Sequence, residues 1–210
     1  MFHSMGLNHY FIQEKISRRG NTVAYLFGIL FLFLSISMLA PLAVAYVYGD
    51  DMRPWIYPIL LTALLGIPLL LRFRPADTTR PTEALFVVTN AWLMVMVFGA
   101  IPYVIYGMNM VDALFETMSG FTTTGATIML NIESWPKSLL FWRSMTQWLG
   151  GAGIILVFIT IFPLLGVAGR SLARKEFAGM DVQHFSRRIQ EESMKFHYIY
   201  IGLSALQFLL

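Results

Sequence analysis

Apolar residues fall along this chain in long runs, and four of these runs can each form a bilayer-crossing helix: about Asn21 to Tyr48, Trp55 to Leu71, Ala84 to Tyr106 and Leu139 to Leu165. A helix rises ~1.5 Å per residue and the hydrocarbon core is ~30 Å thick. The first and fourth runs therefore have length to spare for tilting, and the second just suffices. A fifth run starts near His197 and meets the end of the sequence at Leu210, too soon to span. Pro41, Pro68, Pro102 and Pro163 lie in or near these runs, where a missing N–H and a ring clash bend a helix or end it.

The connection Gly107 to Ser138 breaks the pattern, because it leaves and returns on the same side yet holds an apolar stretch, Val111 to Met118, that is too short to cross. Asp112 is placed to cap a helix start with its side-chain oxygen, and Gly120 to stop that helix. Such a helix covers ~15 Å, half the hydrocarbon thickness, and leaves the chain at mid-membrane. The way back is Thr122 to Thr127, three β-branched threonines, a glycine, an alanine and a further threonine. Extended, such a run covers ~16 to 20 Å.

Irregular backbone at that depth is stable only where protein, a water-filled path or an ion satisfies its polar groups. Three features suit this loop to a cation. The half-helix points its partly negative C-terminus at the membrane centre. Extended carbonyls replace an ion's hydration shell, as in potassium-selective filters. Gly125 accepts positive φ, which lets successive carbonyls turn toward one axis.

Composition strengthens the membrane assignment: 57% of residues are apolar, 13% are charged and the mean hydropathy is +0.63. A soluble domain of this length needs far more charge at its surface. The absence of cysteine removes disulfides and thiolate chemistry. His3, His9, His184 and His197 are widely separated and match no metal-ligand spacing, and no nucleophile is paired with a histidine, so an enzyme is not expected. The net charge of +3 does not call for nucleic acid. Its distribution gives an orientation: Lys15, Arg18, Arg19, Arg72, Arg74, Arg80, Arg170, Arg174, Lys175, Arg187, Arg188 and Lys195 fall on one side of the spans. Arg53, Lys137 and Arg143 fall on the other, with Asp50, Asp51, Asp112, Glu116 and Glu133. Basic residues in short loops stay in the cytoplasm, which places the N-terminus there.

Other residues admit two accounts. Gly150, Gly151 and Gly153 let helices pack closely and so leave room for the loop beside them. Glu116 stabilises the start of the half-helix or attracts cations to the vestibule. Arg143 snorkels to the interface or pairs with Glu116 or Glu133. The basic segment Arg170 to Lys195 is explained by topology and anionic lipid, or docks a regulatory partner.

The residues DALFETMSGFTTTGAT at 112–127, a loop, and FWRSMTQWLGGAGIILVFITIFP at 141–163 together resemble the first pore unit of the TrkH/TrkG/KtrB superfamily of potassium transporters, above all its TrkH branch, and the two preceding spans resemble the extra N-terminal pair of that branch. The resemblance implies an all-α membrane fold in which four helix, pore-loop, helix units surround one pathway. Thr122, Thr123, Thr124, Gly125 and Ala126 would supply one filter strand to K⁺, the transported ion, behind a pore helix carrying Asp112, Glu116 and Gly120. It further implies a bacterial inner-membrane location, a homodimer, surrounding lipid and a TrkA-like nucleotide-binding ring, with no organic cofactor on this chain. The expected organisation is a two-span region at 1–80, one pore unit at 81–168, and a cytoplasmic loop with the start of a second unit at 169–210. One pore unit is a quarter of a pathway. The alternative to a conducting subunit is a truncated, non-conducting one that assembles with or regulates a full-length relative.

Overall fold

The computed structural model describes residues 22–74, 81–153, 195–196 and 198–207, with side chains in the second stretch from residue 85 onward. The N-terminal basic cluster, Arg80, Pro163, the far part of the fourth expected span and the basic segment from Arg170 to Arg188 lie outside the described residues. All regular structure among the described residues is helical. The helices are α1 (Thr22–Tyr48), α2 (Arg53–Arg72), α3 (Pro81–Ile105), α4 (Met110–Phe121), α5 (137–153) and α6 (198–207), with a single 3₁₀ turn at Ile132–Ser134.

Thr22–Tyr48, Arg53–Arg72 and Leu85–Ile105 are long and apolar enough to cross a membrane. The bundle leaves Ile36, Val47, Leu60, Leu64 and Leu71 exposed, an apolar exterior that suits lipid and would be unstable against water. Proline and glycine shape the spans. In α1 the regular helix gives way to a turn at Met38, because Pro41 has no N–H to offer the carbonyl one turn back. One turn earlier, Ser37 Oγ donates to Phe33 O at 2.7 Å. Where α1 and α2 cross, a Cβ on Gly66 would lie 3.0 Å from the Gly28 carbonyl oxygen, so two small residues set the approach of the two backbones.

The core is aromatic. Trp55, Tyr103 and Trp142 are fully buried and Phe121 nearly so. Trp142 stands edge-on to both Trp55 and Phe121 with ring centroids 6.1 Å apart in each case. Its indole N–H donates to the Gly99 carbonyl at 3.1 Å, which fixes α5 against α3.

At one end of the bundle three connections are clasped together. The Asp50 carboxylate accepts from the Ser138 N–H at 2.8 Å, so the α1–α2 turn caps the start of α5. The Tyr106 hydroxyl donates to the Asp51 carbonyl at 2.8 Å and lies 3.1 Å from Ser138 Oγ. Beside it, hydrogen bonds from Arg53 hold the Asp51 carboxyl below its ordinary pKa. Replacing Asp50 by alanine uncaps α5 and is expected to cost about 1 kcal/mol. The check is the thermal unfolding of detergent-solubilised protein, in which Asp50→Asn, still an acceptor, retains most of the stability.

Candidate functional site

The half-helix α4 begins where Gly107, at φ 96°, turns the chain back toward the bundle. Its N-cap is Asn109, whose side chain accepts from the Val111 N–H at 3.0 Å. Asp112 therefore is not the cap expected from the sequence; it occupies the first turn, where its charge opposes the helix dipole favourably. Asn109 lies one turn earlier and meets the orphan donors first. Gly120 differs too. The helix runs past it to Phe121, and its value lies in packing: a Cβ there would fall within van der Waals overlap of Thr146 Oγ1 on α5.

Ala113, Glu116, Thr117 and Gly120 form the buried face of α4, at the three- and four-residue spacing of one helical side. Gly99 of α3 makes room for it, since a Cβ there would lie 2.8 Å from Thr117 Cγ2. Gly150 of α5 does the same at the end of the half-helix. A Cβ there would overlap the Phe121 carbonyl oxygen, so the main chain of α4 rests directly on α5. Gly151 accommodates a different neighbour, Tyr200 of α6, whose hydroxyl would be 2.6 Å from the added carbon. Tyr200 also stacks on Trp148 and donates to its carbonyl at 3.0 Å. Gly153 has no described atom close enough to give it such a role.

Beyond Phe121 the chain does not extend at once. The N–H groups of Thr122, Thr123, Thr124 and Gly125 turn back onto the carbonyls of Met118, Gly120, Ser119 and Ser119, at 2.9, 2.9, 3.0 and 3.3 Å. The last carbonyls of a helix lack intrahelical partners and capture the next donors available. The turn thus persists through Gly125, past the point at which composition suggests an extended path. Its opening is tightly wound: φ is 57° at Thr123 and 74° at Gly125, with Thr122 at −82°. Threonine in the left-handed region costs ~1–2 kcal/mol, which the hydrogen bonds around it must offset, whereas Gly125 adopts it without a side-chain penalty.

This winding separates donors from acceptors. The four N–H groups face the half-helix, and no described residue donates to the carbonyls of Thr122, Thr123, Thr124 or Gly125. Ala126 stands apart, because its carbonyl accepts from Ser119 Oγ at 2.6 Å. Residues 122–128 are exposed on the open side of the unit. A cavity of about 320 Å³ lined by Trp92, Met118, Phe121, Thr122, Thr123 and Gly150 adjoins the turn. Among the described residues no cluster of histidine and carboxylate side chains could hold a metal ion, so the available oxygen donors are these carbonyls and the threonine hydroxyls.

Glu116 is the polar centre of the unit. It lies beyond the first turn of α4 and its side chain is 1% exposed, so it neither neutralises the helix start nor faces a vestibule. One carboxylate oxygen accepts from the Ile128 N–H at 2.7 Å and from the Thr127 hydroxyl at 2.5 Å. The other accepts from Arg143 Nε at 3.1 Å. Of the two partners open to Arg143, the structure selects Glu116, and the arginine is largely withdrawn from the surface. Ser119, one turn along α4, joins the site without standing out in the sequence. Its sequence signal is that a hydroxyl in the middle of an apolar half-helix must find a partner.

The family model for TrkH, described as a cation transport protein, matches residues 57–210. The Trk system potassium uptake protein TrkH of Halomonas elongata is 32% identical over 183 residues, covering 84% of this chain and 38% of that protein. TrkH of Escherichia coli K12 is 33% identical over 183 residues with the same two coverages, 84% and 38%. The crystal structure of the potassium transporter TrkH from Vibrio parahaemolyticus superposes with a TM-score of 0.70 at 29% identity, covering 89% of this chain and 38% of that one. The chain spans just over a third of the length of these relatives.

Proposed function

Because the chain belongs to the TrkH family of cation transport proteins, whose match runs over residues 57–210, we propose that it forms one wall of a potassium uptake pathway across the bacterial inner membrane. The supporting observation is the set of carbonyls at Thr122, Thr123, Thr124 and Gly125, which accept no hydrogen bond from a described residue while the N–H groups of the same residues are all engaged behind them. Positive φ at Thr123 and Gly125 departs from a regular strand and reorients the adjoining peptide planes. Carbonyls left without a protein donor replace the hydration shell of a cation. The Ala126 carbonyl, already bonded to Ser119, anchors the strand more than it offers a ligand.

One strand coordinates an ion from one side, so the pathway takes further strands around the same axis. A homodimer and a TrkA-like ring on the cytoplasmic face are the accompanying partners. Arg170, Arg174 and Lys175 are the residues for ring docking; unchanged ring binding after their neutralisation rejects that contact. The N-terminus lies in the cytoplasm, following the basic residues.

Gly125→Ser tests the filter. No atom lies within 4 Å of the added carbon, so the substitution acts through φ alone, at a cost of about 1 kcal/mol. In the full-length protein the expected result is weaker discrimination between K⁺ and Na⁺ at normal membrane abundance. Retention of the parental uptake ratio by the abundant variant rejects the filter assignment.

A further inference from the structure

Five hydrogen bonds hold the back of the strand that follows α4, and they fall on one side of the helix. Ser119 takes the N–H groups of Thr124 and Gly125 on its carbonyl and gives its hydroxyl to the Ala126 carbonyl. Three residues earlier, Glu116 takes the Ile128 N–H and the Thr127 hydroxyl. Residues three apart on a helix lie on one face, so the strand climbs antiparallel to α4 and is tied to it at two heights. The Thr127 hydroxyl continues the chain of bonds by accepting from the Met129 N–H at 3.1 Å.

The upper tie reaches a third element. Arg143 of α5 grips the second oxygen of Glu116. The Arg143 carbonyl accepts from Thr146 Oγ1 at 2.7 Å, and that hydroxyl is the atom against which Gly120 is packed. One carboxylate therefore fixes pore helix, return strand and following helix relative to one another. With its side chain 1% exposed and both oxygens engaged by protein donors, Glu116 is not available as an ion ligand.

We propose that Glu116, oriented by Arg143, is a positioning residue for ion selectivity: it sets the height of Thr127 and Ile128 along α4 and thereby the spacing of the carbonyls at Thr122 to Gly125. The inference rests on the filter reading above. Ion discrimination depends on where those oxygens stand, and a strand tied only through Ser119 is free to shift at its upper end. A glutamine at 116 keeps the shape and one acceptor, but presents an NH₂ group either to Arg143 or to the Thr127 and Ile128 donors. One of the two contacts must fail.

The test measures K⁺ and Na⁺ uptake by the full-length protein in potassium-uptake-deficient cells, each normalised to membrane abundance. Four variants are compared: Glu116→Gln, Thr127→Val, Arg143→Lys and Arg143→Met. The expected result is a fall in K⁺/Na⁺ discrimination on the order of tenfold for Glu116→Gln, the equivalent of ~1.4 kcal/mol between the two ions. Thr127→Val removes only the hydroxyl and serves if Glu116→Gln does not accumulate; it lowers the ratio in the same direction. Arg143→Lys, which still offers a charged donor, retains more discrimination than Arg143→Met.

A purely structural role predicts instead that K⁺ and Na⁺ uptake fall together with abundance. An unchanged ratio in Glu116→Gln or, if that variant is absent, in Thr127→Val overturns the proposal. If Gly125→Ser shifts the ratio and these variants do not, the positioning role fails while the filter stands. If Gly125→Ser leaves the ratio unchanged in an abundant protein, both fail.

Discussion

Replacing Gly150 by leucine is expected to abolish accumulation of the folded protein, and Gly150→Ala to lower its stability by about 3 kcal/mol, at the upper end of overpacking costs. The first atom of any side chain there would overlap the Phe121 carbonyl oxygen and lie 2.7 Å from its carbonyl carbon. Both belong to main chain, which cannot rotate aside as a side chain can. Relief requires moving the end of α4, and Phe121 is the residue from which the wound strand departs. Whatever Gly150→Ala protein survives should therefore carry altered uptake as well as a lower unfolding temperature. Gly151→Ala provides the comparison. Its added carbon meets the tip of the Tyr200 side chain, which can swing away, so the cost is expected to stay near 1 kcal/mol. Equal unfolding temperatures for the two alanine variants in detergent would contradict this account of the helix contact.

Trp142→Ala is expected to destabilise the bundle by ~3–5 kcal/mol, the range for truncating a large buried aromatic side chain. Trp142 is fully buried and bridges three elements: it meets Trp55 of α2 and Phe121 of α4 edge-on and donates to Gly99 of α3. Emptying that position leaves a cavity behind the end of the half-helix. Trp142→Phe keeps much of the volume and removes the indole N–H, so its loss should be closer to 1 kcal/mol. Denaturation of the purified protein in mixed micelles separates the two. A Trp142→Ala variant with parental stability would show that lipid or detergent, not this side chain, fills the space between α2, α3 and α4.

Much of the architecture is legible from residue order. The runs that predict spans at Asn21–Tyr48, Trp55–Leu71 and Ala84–Tyr106 correspond to helices Thr22–Tyr48, Arg53–Arg72 and Leu85–Ile105. Span formation in lipid is a local matter: every backbone group must be bonded within the segment, so length and apolarity nearly suffice. The half-helix is legible for the same reason, as an apolar stretch too short to cross. Its ends were less so, because the choice between Asp112 and Asn109 as cap depends on where the chain turns at Gly107.

What residue order alone determined is an all-helical membrane fold, long apolar runs of which three are spanning-length helices among the described residues, a half-length helix followed by a threonine and glycine strand, and membership of a cation transport family. These follow from local composition, from helix geometry and from motifs contiguous in the chain. What only the tertiary structure decided is how the strand is held. Glu116 and Arg143 lie 27 positions apart, on helices joined through the strand itself, and nothing in their spacing selects Arg143's partner or aims the carboxylate at Ile128. That choice is made when Gly120 and Gly150 let α4 settle against α5. The buried carboxylate then has few donors within reach, and burial without them would be prohibitively costly.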